Sequence, residues 1–490
     1  MRSPVPDKSP GPDKVPVPDE APVPDKVPVP DKSSGPDKVP GHHPGRAPSG
    51  PAARGFGDFV RAHGGNGRLV VQPRMGFSDP AAMRAGLAAT RASAARTVGT
   101  ITLDAHTRVG HLQAAAAALR EGTALNGYPV VTHPPATTAR VLDGIQGPGF
   151  PVQVRHGSAR PVGIFRALAA LGLDASEGGP VSYCLPYGRT PLAESVSQWA
   201  AACELFASLR ETGREPHLET FGGCMLGQLC PPSLLVALSV LEALFFLRHG
   251  IRSLSVSYAQ QTNPEQDTEA IAALRRLCAE LLPTDDWHVV VYTYMGVFPQ
   301  TEHGARRLLE SSAELAVRTG AERLIVKTVA ESQRIPTIQE NVDALELAAA
   351  AAESAARTAP APLHHPADSP TYQQAAALVH AVLDLHPDVS QALLRAFRRG
   401  YLDVPYCLHP DNRGLTRSFI DPAGRLCWAS IGNLPLGHLV RPRRTTRLTS
   451  AALLTDLTHV RNHFDAAAPP RSPLLTGPPA RDARKRCATG

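Results

Sequence analysis

Residues 68–74 read RLVVQPR, residues 97–108 read TVGTITLDAHTR, and residues 150–155 read FPVQVR. Each is a short apolar run with the pattern of a buried strand, and each ends in an arginine: Arg74, Arg108 and Arg155. In a parallel α/β fold the C-terminal ends of the strands open onto one face, and ligands bind there. Guanidinium groups gathered on such a face repel one another until an anion neutralises them. Arginine grips carboxylates through a planar fork of donors, so the natural guest is a small molecule with two carboxylates. The flanking turns, QPRMGF and QVRHGSARP, let backbone and ligand approach closely.

Outward from these stretches the alternation continues. Apolar runs occur near 68–72, 97–103, 128–132, 151–155, 180–185, 217–221, 252–258, 287–293 and 323–327. Helical patterns lie between many of them, at 80–95, 111–121, 161–172, 191–212, 231–249, 265–282 and 303–319. This β-then-α rhythm predicts a parallel sheet covered by helices. The runs are more numerous than an open nucleotide-binding sheet needs. A closed (β/α)8 barrel of the TIM type accounts for them, with one run as an accessory piece.

The barrel is expected over residues 55–336. A helical and loop-rich lobe follows over 337–465, with helices at 338–357 and 370–399 and a linker near 358–370. Residues 1–54 are different in kind. A Pro-Asp-Lys unit recurs there at Pro6, Pro12, Pro24, Pro30 and Pro36, which predicts an extended, disordered tail whose charges largely cancel. The last stretch, 466–490, is rich in proline and arginine and reads as a flexible tail.

The chain has 490 residues, 43% of them hydrophobic, enough for a sizeable core. A net charge of +6 without a long basic stripe argues against nucleic-acid binding. The eight cysteines form no CxxC pair, so reduced buried thiols are expected rather than a disulfide scaffold or a metal site at Cys224 and Cys230. No secretory leader or membrane span is legible, and the most apolar segment, 234–247, reads as a buried helix. A cytoplasmic protein is the simplest expectation.

Residues 176–192, SEGGPVSYCLPYGRTPL, place Glu177 before a Gly-Gly turn and carry Tyr183 and Tyr187. A carboxylate facing an arginine cluster accepts an ammonium or serves as a general base. Arginines for two carboxylates and a glutamate for an amine together describe a receptor for an amino dicarboxylic acid. In LIVKTVAESQRIPT, Lys327 ends a strand and Glu331 lies four residues on, either as an ion pair at a helix start or as polar groups for a cofactor. Asn126, in ALNGYPVV, adds another polar group.

These motifs, in this order, resemble the epsilon (catalytic) subunit of glutamate mutase, also called methylaspartate mutase. The resemblance rests on LVVQPRMG, TVGTITLD, TRVG, LNGYP, FPVQVRHGSA, EGGPVSYCLPYGRTPL and IVKTVAE, with GYLDVPYCLHPDNRG and GNLPL later, and spans roughly 55–465. It implies a (β/α)8 barrel that uses adenosylcobalamin to interconvert L-glutamate and L-threo-3-methylaspartate by a radical rearrangement. It implies that Arg74, Arg108 and Arg155 hold the substrate carboxylates and that Glu177 contacts the amine, with Tyr183 and Tyr187 in the same pocket. Arg108 and Glu177 are then the expected catalytic residues. Asn126, Lys327 and Glu331 match positions near the adenosyl group.

Base-off cobalamin proteins carry a D-x-H-x-x-G motif whose histidine ligates cobalt. Here Asp104-Ala105-His106 and Asp286-Trp287-His288 are followed by Val109 and Val291 where glycine is required. The cobalt ligand is therefore expected from a small sigma-type partner subunit, with a homodimer of this chain inside a heterotetramer. A non-catalytic barrel acting as a binding scaffold, and a cobalamin-independent amino-acid lyase, are the competing readings.

Overall fold

The computed structural model describes residues 55–186, 188–224, 229–358, 368–441 and 449–466. Eight parallel strands form a nearly closed barrel: β1 (Val70–Gln72), β2 (Gly99–Thr102), β3 (Val152–Arg155), β4 (Ala175–Gly178), β5 (His217–Thr220), β6 (Ser253–Ala259), β7 (Trp287–Tyr292) and β8 (Arg323–Ile325). Neighbours in sequence are neighbours in the ring, and β1 pairs with β8 in the register Val71↔Leu324. The seam between β1 and β2 is joined by one bridge, Val71↔Thr97, with the Val71 amide donating to the Arg96 carbonyl at 2.9 Å.

Helices cover the outside: Pro80–Ala92, Leu112–Arg120 with Pro135–Leu142, Val162–Ala170, Leu192–Ala207, Pro232–Arg248, Pro264–Leu281, Glu302–Arg318 and Ile338–Thr358. Several begin as the sequence dictates. Asp79 and Asn263 accept the Ala82 and Gln266 amides at 2.7 and 2.8 Å, each with proline at the first helical position. Pro232–Arg248 is apolar almost all round because the barrel lies on one side and Pro370–Leu383 and Val389–Arg399 on the other. Helix Phe56–His63 closes the N-terminal end of the barrel, where Phe56 stacks on His217 with ring centroids 5.1 Å apart.

The structure departs from the sequence reading in three places. The run 180–185 is a turn, and the fourth strand lies just before it at Ala175–Gly178. Pro180 has no amide to donate to a ladder, and Tyr183 turns back onto the Gly179 carbonyl at 3.1 Å. The run 128–132, which makes a single bridge, Leu103↔Tyr128, is the accessory piece expected among the nine runs. The helix expected over 370–399 breaks at His386-Pro387, since proline cannot continue the ladder. Helix Ile338–Thr358 packs on Glu302–Arg318, Pro80–Ala92 and β1 as the eighth covering helix, so the barrel architecture runs one helix beyond residue 336.

Beyond it, Pro370–Leu383, Val389–Arg399, the antiparallel hairpin β9 (Thr416–Ile420) and β10 (Leu426–Ile431), and the helices Ser450–Leu457 and His459–Ala466 form the rest of the described chain. Asp403 organises the loop before β9 by accepting the Gly414, Leu415 and Thr416 amides at 2.6, 2.6 and 2.7 Å.

Candidate functional site

Arg155 is the last residue of β3 and Glu177 lies in the adjoining β4, so the register Val154↔Ser176 sets them side by side. Arg155 Nε donates to Glu177 Oε2 at 2.7 Å, with the side chains 5% and 1% exposed. The Tyr183 hydroxyl donates to Glu177 Oε1, and the Tyr292 hydroxyl, from the end of β7, reaches Oε2 at 2.6 Å. Burial pushes the Glu177 carboxyl up, but Arg155 outweighs it with the help of both tyrosines and holds the group below its usual range. Burial lowers the Arg155 guanidinium while Glu177 raises it, and the net effect is well above the ordinary value. The pair is therefore ionised at any ordinary pH.

Arg108 sits on the short helix Ala105–Val109, beyond the end of β2, rather than at the strand terminus itself. Asp104 starts that helix by accepting the Thr107 amide at 3.0 Å, and Asn126 Oδ1 accepts the Ala105 amide at 2.9 Å. The Arg108 side chain runs across Gly157, where a Cβ would lie 3.1 Å from its Nε, and this brings it to the loop that follows Arg155. Gly157 has φ +67°, so a side chain there would strain the backbone and press on the Arg108 side chain. Between them His156 stacks on Trp199 at 5.6 Å. Burial, against the pull of Glu177 and with the push of Arg108, lowers its imidazole to about 3, so it is neutral.

Arg74, just past β1, pairs with Glu331, and Lys327 Nζ lies 3.8 Å from the same carboxylate. Lys327 rests 4.6 Å above the Phe298 ring. Burial lowers its ammonium to about 8, against the pull of Glu331 and with the push of Arg74. A cleft of about 490 Å³ opens here, bounded by Arg74, Phe77, Thr102, Asn126, Glu331 and Asn341 among others. The structure thus gathers Arg155, Glu177 and Tyr183 in one cluster and Arg74, Asn126, Lys327 and Glu331 in a second. The Arg108 side chain lies against Gly157 beside the first cluster, and its helix is joined to Asn126 of the second through the Ala105 amide. Tyr187 lies outside the described residues.

The turn carrying Tyr183 is held by a residue that pattern reading missed. Glu242, in the middle of Pro232–Arg248, accepts the Val181 and Ser182 amides at 3.2 and 2.9 Å and the Ser182 hydroxyl at 3.0 Å. A Cβ on Gly179 would collide with this carboxylate. From above, the lobe clamps the same loop: Asp411 accepts the Leu192 amide at 2.7 Å, and His409 Nε2 bonds the Thr190 carbonyl at 3.0 Å. Burial raises the Glu242 carboxyl from 4.5 to about 7 despite its hydrogen bonds. A carboxyl whose folded pKa is raised contributes stability that is complete below the unfolded value and lost as pH rises through the folded one. Wild-type protein is expected to lose on the order of 3 kcal/mol through this group between about pH 4.5 and 7. Glu242→Gln should flatten that slope, read as urea midpoints at about pH 5 and about pH 8.

Also missed were Tyr292, Glu219 and Arg323. Glu219 and Arg323 form an ion pair with both side chains 0% exposed. A charged residue inside the apolar runs 217–221 and 323–327 was the available signal, since an inward-facing charge in a barrel must find a partner. Gln72 of β1, Gln153 of β3 and Glu219 of β5 come from alternate strands, as layers of such a barrel do, and are bonded to one another and to Arg323.

Among the described residues no group of three or more His, Cys, Asp or Glu is placed to hold a metal ion. His288 stacks on His217 at 5.2 Å inside the barrel, beside Arg323. Every described cysteine is a free thiol, and no described helix is long and apolar enough to cross a membrane.

The fold is a TIM-type barrel whose strand ends hold a buried arginine–glutamate pair, with a second arginine–glutamate pair on a cleft beside it. The sequence matches the family described as Methylaspartate mutase E chain (MutE) over residues 51–457, and the chain belongs to that family. Relatives named glutamate mutase epsilon subunit include that of Escherichia coli O157:H7, 30% identical over 68% of this chain and 72% of its own length. That of Desulfitobacterium hafniense is 30% identical over 71% and 74%, and that of Haloarcula marismortui 28% over 72% and 73%.

Proposed function

We propose that this chain is the catalytic subunit of an adenosylcobalamin-dependent glutamate mutase, interconverting L-glutamate and L-threo-3-methylaspartate in the cytoplasm. The observation that carries the reading is the ionised Glu177, held by Arg155 and two tyrosine hydroxyls at the strand ends. In this reading Arg108 and Arg155, with Arg74, take the two substrate carboxylates. Glu177 takes the ammonium, and Tyr183 and Tyr187 complete the pocket. Fixing all three charged groups of the substrate leaves only its carbon skeleton free to rearrange, and burial of Arg155 and Glu177 keeps water from the reacting atoms.

The cleft at Glu331 suits a nucleoside. Its carboxylate accepts from hydroxyl groups, Asn126 both donates and accepts, and Lys327 fixes Glu331 from beneath. Asn126, Lys327 and Glu331 would hold the adenosyl group there. Held there by Asn126, Lys327 and Glu331, the cofactor would supply radical chemistry for the rearrangement. Arg74 stands at the junction, paired with Glu331 on the cofactor side and within the arginine set on the substrate side. The cobalt ligand is assigned to a small sigma-type subunit, in a heterotetramer built on a homodimer of this chain.

Purified chain with adenosylcobalamin, assayed for conversion of glutamate to methylaspartate with and without the small cobalamin-binding subunit, tests this reading. Activity only with the subunit is the expected result. Activity without it would contradict the split cofactor site, and a cobalamin-independent reaction would point to a lyase. Silence despite complex formation would favour the scaffold.

A further inference from the structure

The Tyr292 hydroxyl has one proton and two carboxylates within reach. It lies 2.6 Å from Glu177 Oε2 and closer still to Glu219 Oε1. The two carboxylates are not equivalent. Glu219 Oε2 is saturated by Arg323, by Gln153 Nε2 at 3.2 Å and by the Ser255 hydroxyl at 3.1 Å, whereas Oε1 has Tyr292. Arg323 in turn is bonded to Gln72, to Ser255 at 3.0 Å and to His288 at 3.4 Å. Glu219 is therefore a fixed acceptor at full burial. Glu177 is the carboxylate that faces the arginine at the strand ends.

Charges balance within this group. Arg155 and Arg323 carry two positive charges, Glu177 and Glu219 two negative ones. Burial together with both carboxylates pushes the Tyr292 hydroxyl well above its usual value, so it keeps its proton. An ammonium has three N–H donors, and one carboxylate oxygen does not satisfy them. If Tyr292 donated to Glu177, it would occupy a lone pair the ammonium needs. If, once the ammonium arrives to donate to Glu177 in its place, it donates to Glu219 alone, the Glu177 oxygen is released and the phenol oxygen turns its own lone pairs toward the same ammonium. The Arg155 guanidinium, 5.3 Å from the centre of the Tyr292 ring, holds the ring in place from the other side.

We propose that Tyr292 is a second acceptor for the substrate ammonium, beside Glu177, and that Glu219 is the positioning residue that makes it one by taking the Tyr292 hydrogen bond. This rests on the reading of the site as an amino-dicarboxylate receptor and adds a second group, beside Glu177, that distinguishes an amino dicarboxylate from a plain one.

The test uses the full complex with the small subunit and adenosylcobalamin. Two constants are measured, KM for L-glutamate and the inhibition constant for glutarate, which has both carboxylates and no amine. Tyr292→Phe keeps the ring and leaves the Glu219–Arg323 pair intact. It is expected to raise KM for L-glutamate roughly tenfold, the size of one hydrogen bond to a charged group, with kcat less affected and glutarate inhibition unchanged. Glu219→Gln should show the same amine-selective pattern, because its amide N–H can donate to the phenol oxygen and occupy it. Should that variant fold poorly with Arg323 unpaired, Tyr292→Phe decides alone. Equal weakening of glutamate and glutarate, or no change in either, overturns the proposal. A wild-type complex that converts no glutamate overturns the functional reading beneath it, a result distinguishable from the first because it appears before any substitution is made.

Discussion

Arg108→Lys is expected to lower glutamate turnover roughly a hundredfold while leaving thermal unfolding unchanged. Arg108 is half-buried on a five-residue helix whose start Asp104 and Asn126 hold through backbone amides, so the start of that helix does not depend on the guanidinium. In the proposed site the substrate does need it. A planar fork matches a carboxylate bidentately, and lysine offers a point charge on a shorter reach. Losing one charge-assisted hydrogen bond and its orientation costs about 1.5–3 kcal/mol, which is the range of that fold-change. The measurement is kcat/KM for L-glutamate in the reconstituted complex, beside a melting curve of the same preparation. Wild-type turnover in this variant would remove Arg108 from the carboxylate set.

The second large effect is on stability. Arg323→Met is expected to destabilise the barrel by about 3–5 kcal/mol, because it strands Glu219 at 0% exposure without its counter-charge. Gln72 loses the guanidinium its amide oxygen accepts from, and Ser255 loses an acceptor role. The change should appear as a lower urea midpoint with little change in slope. Replacing both partners, Glu219→Leu with Arg323→Met, should recover part of the loss, since a buried pair exchanged for apolar groups is often neutral. If the double variant is no better than the single one, the deficit comes from lost packing rather than from the stranded charge.

The contrast between these two arginines shows what a linear reading can reach. Arg74, Arg108 and Arg155 stood out because each follows an apolar run and precedes turn residues. Arg323 also belongs to an apolar run, but at its beginning, and nothing local told that it would extend up the barrel interior to Glu219. The run 180–185 was apolar enough to read as a strand. Pro180 and the hold of Glu242, a residue on a distant helix, made it the turn that delivers Tyr183. Composition of a short segment does not carry the identity of the side chain that will satisfy its amides.

The sequence by itself determined the barrel, through a repeat of strand and helix periods that a covered parallel sheet satisfies, and it singled out Glu177 and the arginines as the candidate site. Tertiary structure alone decided how those groups are partnered. Glu177 meets Tyr292 across 115 residues of chain, and Arg74 meets Glu331 across 257. Periodicity reports which face of an element is buried. Which buried polar groups meet depends on closing the ring, because strands far apart in the chain become near neighbours only when β1 returns to β8.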